Sequence, residues 1–167
     1  IKANKLIAEL NELQSLFIPP GPGDESISIG AAYLAQIENN KKSNIKHPKN
    51  GYFGPSFNNN QIKEEIDKLI NDEYMVQKTT PADVARLIAE GDVVARFAKE
   101  KMEFGARALG NRSILADPRR PDVIHHINKL VKMRDFWMPF APSIISEREK
   151  DYMINPKKID ARFMAVG

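Results

Sequence analysis

The sequence KMEFGARALGNRSILADPR, residues 101–119, decides how this chain is interpreted. It places Arg107 between two glycines, and Arg112 follows shortly after the second. Glycine allows the main chain to approach a ligand closely, and guanidinium groups form planar forks that match carboxylate or phosphate oxygens. Ile114 and Leu115 then predict a short buried strand. The stretch therefore predicts an anion-binding loop that is anchored on core structure.

Positive charge is concentrated around this loop. Residues 96–134 contain ten of the 25 Lys and Arg side chains but four of the 22 Asp and Glu side chains, although the net charge is only +3. A field focused in one segment attracts small anions without making the whole protein bind nucleic acid. A structural turn with solvated arginines is the alternative for the loop. Further polar and basic residues on the next element, including Asn128 and Lys132, favour a site, because phosphate binding needs several charge-assisted donors.

The bulk composition sets outer limits on the type of protein. With 167 residues the chain has the length of one ordinary domain. It contains no cysteine, which excludes disulfides and thiolate metal sites. No apolar run reaches the length of a membrane span, and the N-terminus lacks a signal-peptide pattern. We therefore expect a soluble cytoplasmic protein without a membrane partner.

Apolar periodicity and turn residues predict an α/β fold. Residues 1–13 fit a helix, or a strand followed by a short helix, equally well. A segment rich in Asn, Lys, Pro and Gly at 41–51 is typical of a linker. Helices are predicted over residues 27–37, 60–70, 81–90 and 122–132, and strands over 16–18, 93–97, 114–115, 142–145 and 163–166.

Some chemically suggestive residues also have ordinary structural explanations. Asp24 follows a glycine-containing turn, and from its chemistry alone it is best explained as a helix N-cap. His125 and His126 are adjacent, so on a helix they would point about 100° apart and would not form a metal pair. Trp137 and its aromatic neighbours are predicted to be core residues, because prolines bound them and no basic residue lies between them.

The motif pair EFGARALGNRSILADPR and NKLVKMRDFWMPFAPS is similar to that of the O-carbamoyltransferases of the nodulation-factor and antibiotic-tailoring type. The family pattern is EFGPRALGNRSIL.DPR, followed by NKxxKxR and PFAPS. The earlier segment PPGPGDESISIGAAYLA resembles the end of that family's actin-like domain. This chain departs from the pattern at Ala106, where the family commonly has proline, and at Glu100, where it commonly has glycine.

The resemblance implies a division into domains. Residues 1–40 would be the C-terminal end of the actin-like domain, a strand-loop-helix remnant. Residues 41–51 would be the linker, and residues 52–167 a truncated YrdC-like domain with a mixed twisted sheet and flanking helices. On this reading the chain is a fragment of a longer enzyme and would be inactive in isolation.

The resemblance also implies an activity. The family forms carbamoyl adenylate from carbamoyl phosphate and ATP, and then transfers the carbamoyl group to a hydroxyl of a small molecule or sugar. A non-catalytic nucleotide- or RNA-binding module with a basic face is the alternative function, and the oligomeric state, including a homodimer, stays open. By the resemblance, Lys101 and Arg107 are the catalytic residues, Lys101, Arg107, Arg112, Ser113, Asn128, Lys132 and Arg134 bind substrate or nucleotide, and Asp24 ligates a divalent metal, typically iron.

Overall fold

The structure is a computed structural model, and it describes residues 1–40, 44–69, 74–98 and 100–167. These residues form helices and a small antiparallel sheet, which confirms the α/β class at that level. The helices are α1 (Lys2–Glu9), α2 (Ser26–Asn39), α3 (Asn59–Leu69), α4 (Pro81–Glu90), α5 (Pro121–His126) and α6 (Glu149–Tyr152), with a π-helical turn at Ile127–Val131 and a 3-10 turn at Ser146–Arg148. The strands are β1 (Val94–Phe97) and β2 (Arg112–Leu115).

The chain divides into two compact units. The first unit consists of Ile1–Gly54, Glu103–Leu109 and Ser143–Gly167, and the second consists of Pro55–Met102 and Gly110–Pro142. The YrdC-like and actin-like assignments, and the domain boundaries that follow from them, stay predictions. Residues 41–43 of the predicted linker and Ile70 of the predicted helix 60–70 lie outside the described residues. No helix within the described ranges is long and apolar enough to cross a membrane.

Helix α4 begins and ends where its sequence predicts. Thr80 is the N-cap, and its side chain accepts a hydrogen bond from the Asp83 amide at 3.3 Å. The Asp83 carboxylate in turn accepts one from the Thr80 amide at 3.0 Å, which completes a capping box. Pro81 occupies the first turn, where its missing N–H has no cost, and Gly91 ends the helix with a left-handed φ of 108°.

Strands β1 and β2 pair antiparallel, with Val94 opposite Leu115 and Phe97 opposite Arg112. The strand predictions at 93–97 and 114–115 are therefore confirmed, but the second strand is not buried as predicted, because Ile114 is 37% exposed. The predicted strands at 16–18, 142–145 and 163–166 are wrong, because none of these segments forms a ladder with any described residue. Prolines adjoin or begin the first two, and proline cannot donate to a ladder.

The predicted helix 122–132 is present, but it changes type halfway. It is α-helical as far as His126 and then widens into the π-helical turn, in which the Lys132 amide donates to the Ile127 carbonyl at 2.8 Å. Val123 and Ile127 are buried on its inner side, with 6% and 3% of their surface exposed. A π-turn inside a helix often marks a functional site, because it redirects the following side chains.

Two further local predictions are wrong. Helix α2 has Glu25 at its N-cap position and no side-chain cap, so Asp24 does not serve as the predicted cap. Phe136 and Trp137 are 71% and 64% exposed, so they do not form the predicted aromatic core within the described residues. Among the described residues, the buried hydrophobic side chains are Val123 and Ile127 in the second unit, to which Phe136 and Trp137 belong, and Phe163 and Ala165 in the first.

Candidate functional site

The loop around Arg107 belongs to the first unit and is closed by buried polar contacts. Glu103 is buried, and its carboxylate accepts a hydrogen bond from the Leu109 amide at 2.8 Å. The Leu109 carbonyl accepts one from the Tyr52 hydroxyl at 2.9 Å. These hydrogen bonds fix both ends of the segment 103–109. Arg107 lies within this short loop, and its side chain is exposed.

Gly105 in the same loop meets a close approach of another backbone. Its φ is +86°, and a Cβ placed there would lie 3.1 Å from the Gly21 Cα. The Phe104 amide beside it donates to the Gly51 carbonyl at 2.7 Å. This glycine therefore packs the loop against the turn that precedes α2, a structural reason for glycine that the anion-loop interpretation of the sequence did not include.

The second half of the motif lies in the second unit and is also internally bonded. The Ser113 hydroxyl accepts a hydrogen bond from the Gly110 amide at 3.0 Å. The Arg96 guanidinium donates to the Gly110 carbonyl and, at 3.1 Å, to the Asn111 Oδ1, and the Asn111 amide donates to the Lys101 carbonyl at 2.8 Å. Ser113 therefore supports a turn, while the Lys101 side chain is exposed.

Two cations of the basic segment are paired with neighbouring acids. Arg119 Nη2 lies 2.6 Å from a carboxylate oxygen of the buried Asp117, and Arg120 Nη2 lies 2.8 Å from Asp122. Hydrogen bonds from Arg119 lower the pKa of Asp117 from 3.8 to about 2, so this carboxyl stays ionised at neutral pH. The positive charge available to a ligand is therefore smaller than the sequence count indicates.

Arg134 of the predicted site is held by two side chains. Its Nε donates to the Oδ1 of Asn128 at 2.7 Å, and its guanidinium lies over the Phe140 ring, 4.6 Å from the centroid. Asn128 is completely buried, and its Nδ2 donates to the carbonyls of Phe136 at 2.9 Å and Met138 at 3.1 Å. The sequence predicted both Asn128 and Arg134 as site residues, and the structure brings the two side chains into contact.

The other predicted residues are distributed between the two units. Lys132 is exposed just after the π-turn, and Arg112 is half-buried at the start of β2. Both lie in the second unit with Lys101, Ser113, Asn128 and Arg134, whereas Arg107 and Asp24 lie in the first and are exposed. Among the described residues no three His, Asp or Glu side chains are placed to hold a metal ion.

A cleft in the second unit lies away from these residues. Its volume is about 470 Å³, and it is bordered by the end of α4 and by α5. The cleft-lining residues include Asp92, Arg120, Asp122 and His126, but none of the predicted site residues. The cleft therefore gives no support to the predicted set.

Comparison with known proteins identifies the family. Residues 85–167 match the family model described as the carbamoyltransferase C-terminus. The chain belongs to the carbamoyltransferase family. This confirms the resemblance found in the two sequence motifs, both of which fall within the matched residues.

Relatives extend the similarity over most of the chain. An uncharacterized protein of Methanocaldococcus jannaschii, MJ1058, is 39% identical over 153 residues, which is 88% of this chain and 25% of the relative. A second from that organism, MJ1051, is 37% identical over 92% of this chain and 29% of its own length. The nodulation protein NolO of Bradyrhizobium diazoefficiens is 32% identical over 84% of this chain and 26% of its own length. The chain thus spans about a quarter of the curated relatives that it matches.

The sequence interpretation missed the inward-facing polar residues of its own key motif. Glu103, Asn111 and Asp117 are all buried, but Glu103 and Asp117 had been counted only as charges of the segment and Asn111 had been given no role. Asn111 directly after Gly110 and Asp117 directly before Pro118 were the available signals, since Asn and Asp at turns often hydrogen-bond the main chain. They shape the loop rather than extend it into solvent.

Proposed function

We propose that the protein is an O-carbamoyltransferase and that this part of it forms carbamoyl adenylate from carbamoyl phosphate and ATP. The family membership of residues 85–167 is the observation that carries this proposal. A basic segment with a fixed guanidinium at Arg134 supports it, because both substrates are polyanions. The carbamoyl group would then pass to a hydroxyl of a small molecule or sugar.

The proposed reaction has two steps, a hydrolysis and an adenylation. Water first cleaves carbamoyl phosphate into carbamate and orthophosphate. A carbamate oxygen then attacks the α-phosphorus of ATP, and the bond from that phosphorus to the bridging oxygen of pyrophosphate breaks. The carbamate is already anionic, so the second step requires no general base from the protein. Catalysis would come from positioning and from neutralising charge that develops on phosphoryl oxygens.

The residue roles follow the family pattern and stay proposals. Lys101 and Arg107 would act on the reacting phosphoryl oxygens, and their exposed side chains leave both cations available to a ligand. Arg112, Ser113 and Lys132 would complete phosphate binding together with Arg134. Arginine suits this role because its guanidinium stays protonated at every physiological pH.

The described residues do not supply enough ligands for the proposed divalent metal, typically iron. Asp24 is an exposed carboxylate, and a stable site needs several ligands in a fixed geometry. The described residues therefore do not fit a metal by themselves, and we derive no chemical step through one. The metal assignment of Asp24, a cytoplasmic location and a homodimer stay parts of the proposal.

Isotope exchange tests the adenylation step. The full-length protein should exchange labelled pyrophosphate into ATP only when carbamoyl phosphate is present. Arg107→Ala should abolish this exchange and leave the fold intact. Arg86→Ala is the control: it removes an exposed arginine of α4 and should leave the exchange rate unchanged. Exchange at the wild-type rate in Arg107→Ala would refute the role of Arg107, and no exchange in the wild type would remove the adenylation proposal.

A non-catalytic nucleotide- or RNA-binding module is the second candidate, and one observation favours it. Phe136 and Trp137 are exposed, and Lys132 and Arg134 precede them closely in the chain. Exposed aromatic rings together with cations are typical of single-stranded nucleic-acid binding. Such a module would lose affinity for a short RNA steeply as salt rises and would be indifferent to carbamoyl phosphate. The proposed enzyme would instead respond to carbamoyl phosphate and would show no such salt-dependent binding of RNA.

A further inference from the structure

The polar side chain with the least exposure in the second unit is Asn128, and its hydrogen bonds determine what it can do. A side-chain amide has two N–H donors and one carbonyl acceptor. Both bonds donated by Nδ2 go to backbone carbonyls, those of Phe136 and Met138. The phosphoryl oxygens of ATP and carbamoyl phosphate act mainly as hydrogen-bond acceptors at neutral pH, and the Asn128 side chain has no donor left to offer them. Direct contact with a phosphoryl group is therefore inconsistent with this geometry.

The remaining polar atom of Asn128 is directed at Arg134. Its Oδ1 accepts from the Arg134 Nε at 2.7 Å, and its backbone carbonyl accepts from the Arg134 amide at 2.9 Å. The backbone bond requires a sharp reversal, which Met133 provides with a left-handed φ of 49° immediately after the π-turn. A non-glycine residue in that conformation is strained, so the surrounding bonds must hold it.

These contacts leave Arg134 in a preorganised state. Its Nε is occupied by Asn128, and one face of its guanidinium lies over Phe140. Within the described ranges, Nη1 and Nη2 form no hydrogen bond or ion pair. The two terminal nitrogens form the planar fork that binds carboxylate and phosphate oxygens in pairs. A half-buried fork that is fixed at one edge and open at the other is suited to receive an oxyanion.

We infer that Asn128 is a positioning residue that locks Arg134 as an oxyanion-binding fork and does not itself touch the substrate. This inference rests on the proposed function for the identity of the oxyanion, which would be a phosphoryl group of carbamoyl phosphate or ATP. It replaces the direct contact that the family resemblance implied for Asn128. Freezing a flexible arginine before binding removes an entropic cost from the binding step.

The inference can be tested first in the unmodified chain. The Arg134 Hε should exchange with solvent more slowly than the Hε of the exposed Arg86, because Asn128 occupies it. Side-chain NMR reads both signals, and Arg134→Lys assigns the first by its disappearance. Titration with inorganic phosphate should then shift the Arg134 signals. An Arg134 Hε that exchanges as fast as that of Arg86, or Arg134 signals unmoved by saturating phosphate, would overturn the inference without any variant having to fold.

Variants separate positioning from a general structural role. Asn128→Ala should weaken phosphate binding about three- to tenfold, the loss expected when one rotamer-rich side chain must be ordered on binding. It should have no further effect in an Arg134→Ala background. Val123→Ala is the matched control, because it opens a cavity in the same buried helix face and should leave phosphate affinity unchanged. Additive losses in the double variant would show that Asn128 contacts the ligand itself and would overturn the inference.

The same experiments distinguish this inference from the proposed function. If phosphate binds at Arg134 as described but carbamoyl phosphate supports no pyrophosphate exchange, the adenylation proposal is lost and the positioning role of Asn128 stands. If exchange proceeds in full and Asn128→Ala changes neither phosphate affinity nor the KM for carbamoyl phosphate, the inference is lost and the proposed function stands.

Discussion

Replacing Gly105 by alanine tests whether the motif loop depends on close backbone packing. The new Cβ would lie 3.1 Å from the Gly21 Cα and 3.3 Å from a carboxylate oxygen of Glu25. The first of these atoms belongs to a backbone and cannot rotate away. Gly105 also has a φ of +86°, a conformation that an L side chain rarely adopts.

The two effects add to a measurable loss of stability. An unfavourable positive φ costs about 1–3 kcal/mol, and overpacking of a tight contact costs a similar amount when the neighbour moves only partly. We therefore expect Gly105→Ala to lower the free energy of unfolding by about 2–6 kcal/mol. Urea unfolding followed by circular dichroism measures this difference from the shift of the midpoint at constant slope.

Gly30 provides the matched control for the same substitution. It lies inside α2, and a Cβ placed there meets no atom within 4 Å. Gly30→Ala should raise the free energy of unfolding by about 0.5–1 kcal/mol, because alanine favours the helix. A Gly105→Ala variant that is as stable as Gly30→Ala would refute the reasoning about the loop, since the chemical change is identical in the two variants.

Three further predictions concern the cap, the buried carboxylate and the exposed lysine. Thr80→Ala should cost about 1 kcal/mol of stability by removing the capping box, whereas Thr79→Ala should cost little, which urea unfolding compares. Ionised Asp117 stabilises the folded state above pH 3.8, and this contribution is lost as the pH falls towards its folded pKa of about 2. The difference in unfolding free energy between the wild type and Asp117→Asn should therefore shrink as the pH is lowered from 3.8 to about 2. Equal differences across this pH range would contradict the assigned ion pair. Lys101→Met should reduce pyrophosphate exchange without lowering the melting temperature, and unchanged exchange would exclude Lys101 from the reaction.

Elements with strong local signals could be predicted from the sequence. Helix α4 is set by Thr80, Pro81 and Gly91, each of which acts through its own backbone chemistry. Strands β1 and β2 were also found, because apolar runs bounded by polar residues identify them. The family came from the long motif around Arg107, which no local propensity would have identified.

The failed predictions depended on tertiary partners. A short apolar run such as residues 16–18 becomes a strand only if another segment pairs with it, and its own sequence does not encode that partner. Trp137 was predicted to be a core residue because prolines bound its aromatic cluster and no basic residue lies within it, yet burial depends on what packs against it. The contact between Asn128 and Arg134 requires the π-turn and the left-handed Met133, neither of which has a reliable sequence signal.

Product analysis of a single reaction tests the central proposal most directly. The full-length protein, incubated with ATP and carbamoyl phosphate without an acceptor, is examined by phosphorus NMR. The proposed attack on the α-phosphorus predicts pyrophosphate and a new adenylate signal, and both should require carbamoyl phosphate. Formation of ADP, or ATP that stays intact while carbamoyl phosphate is present, would contradict the proposal that this chain carries the adenylating half of a carbamoyltransferase.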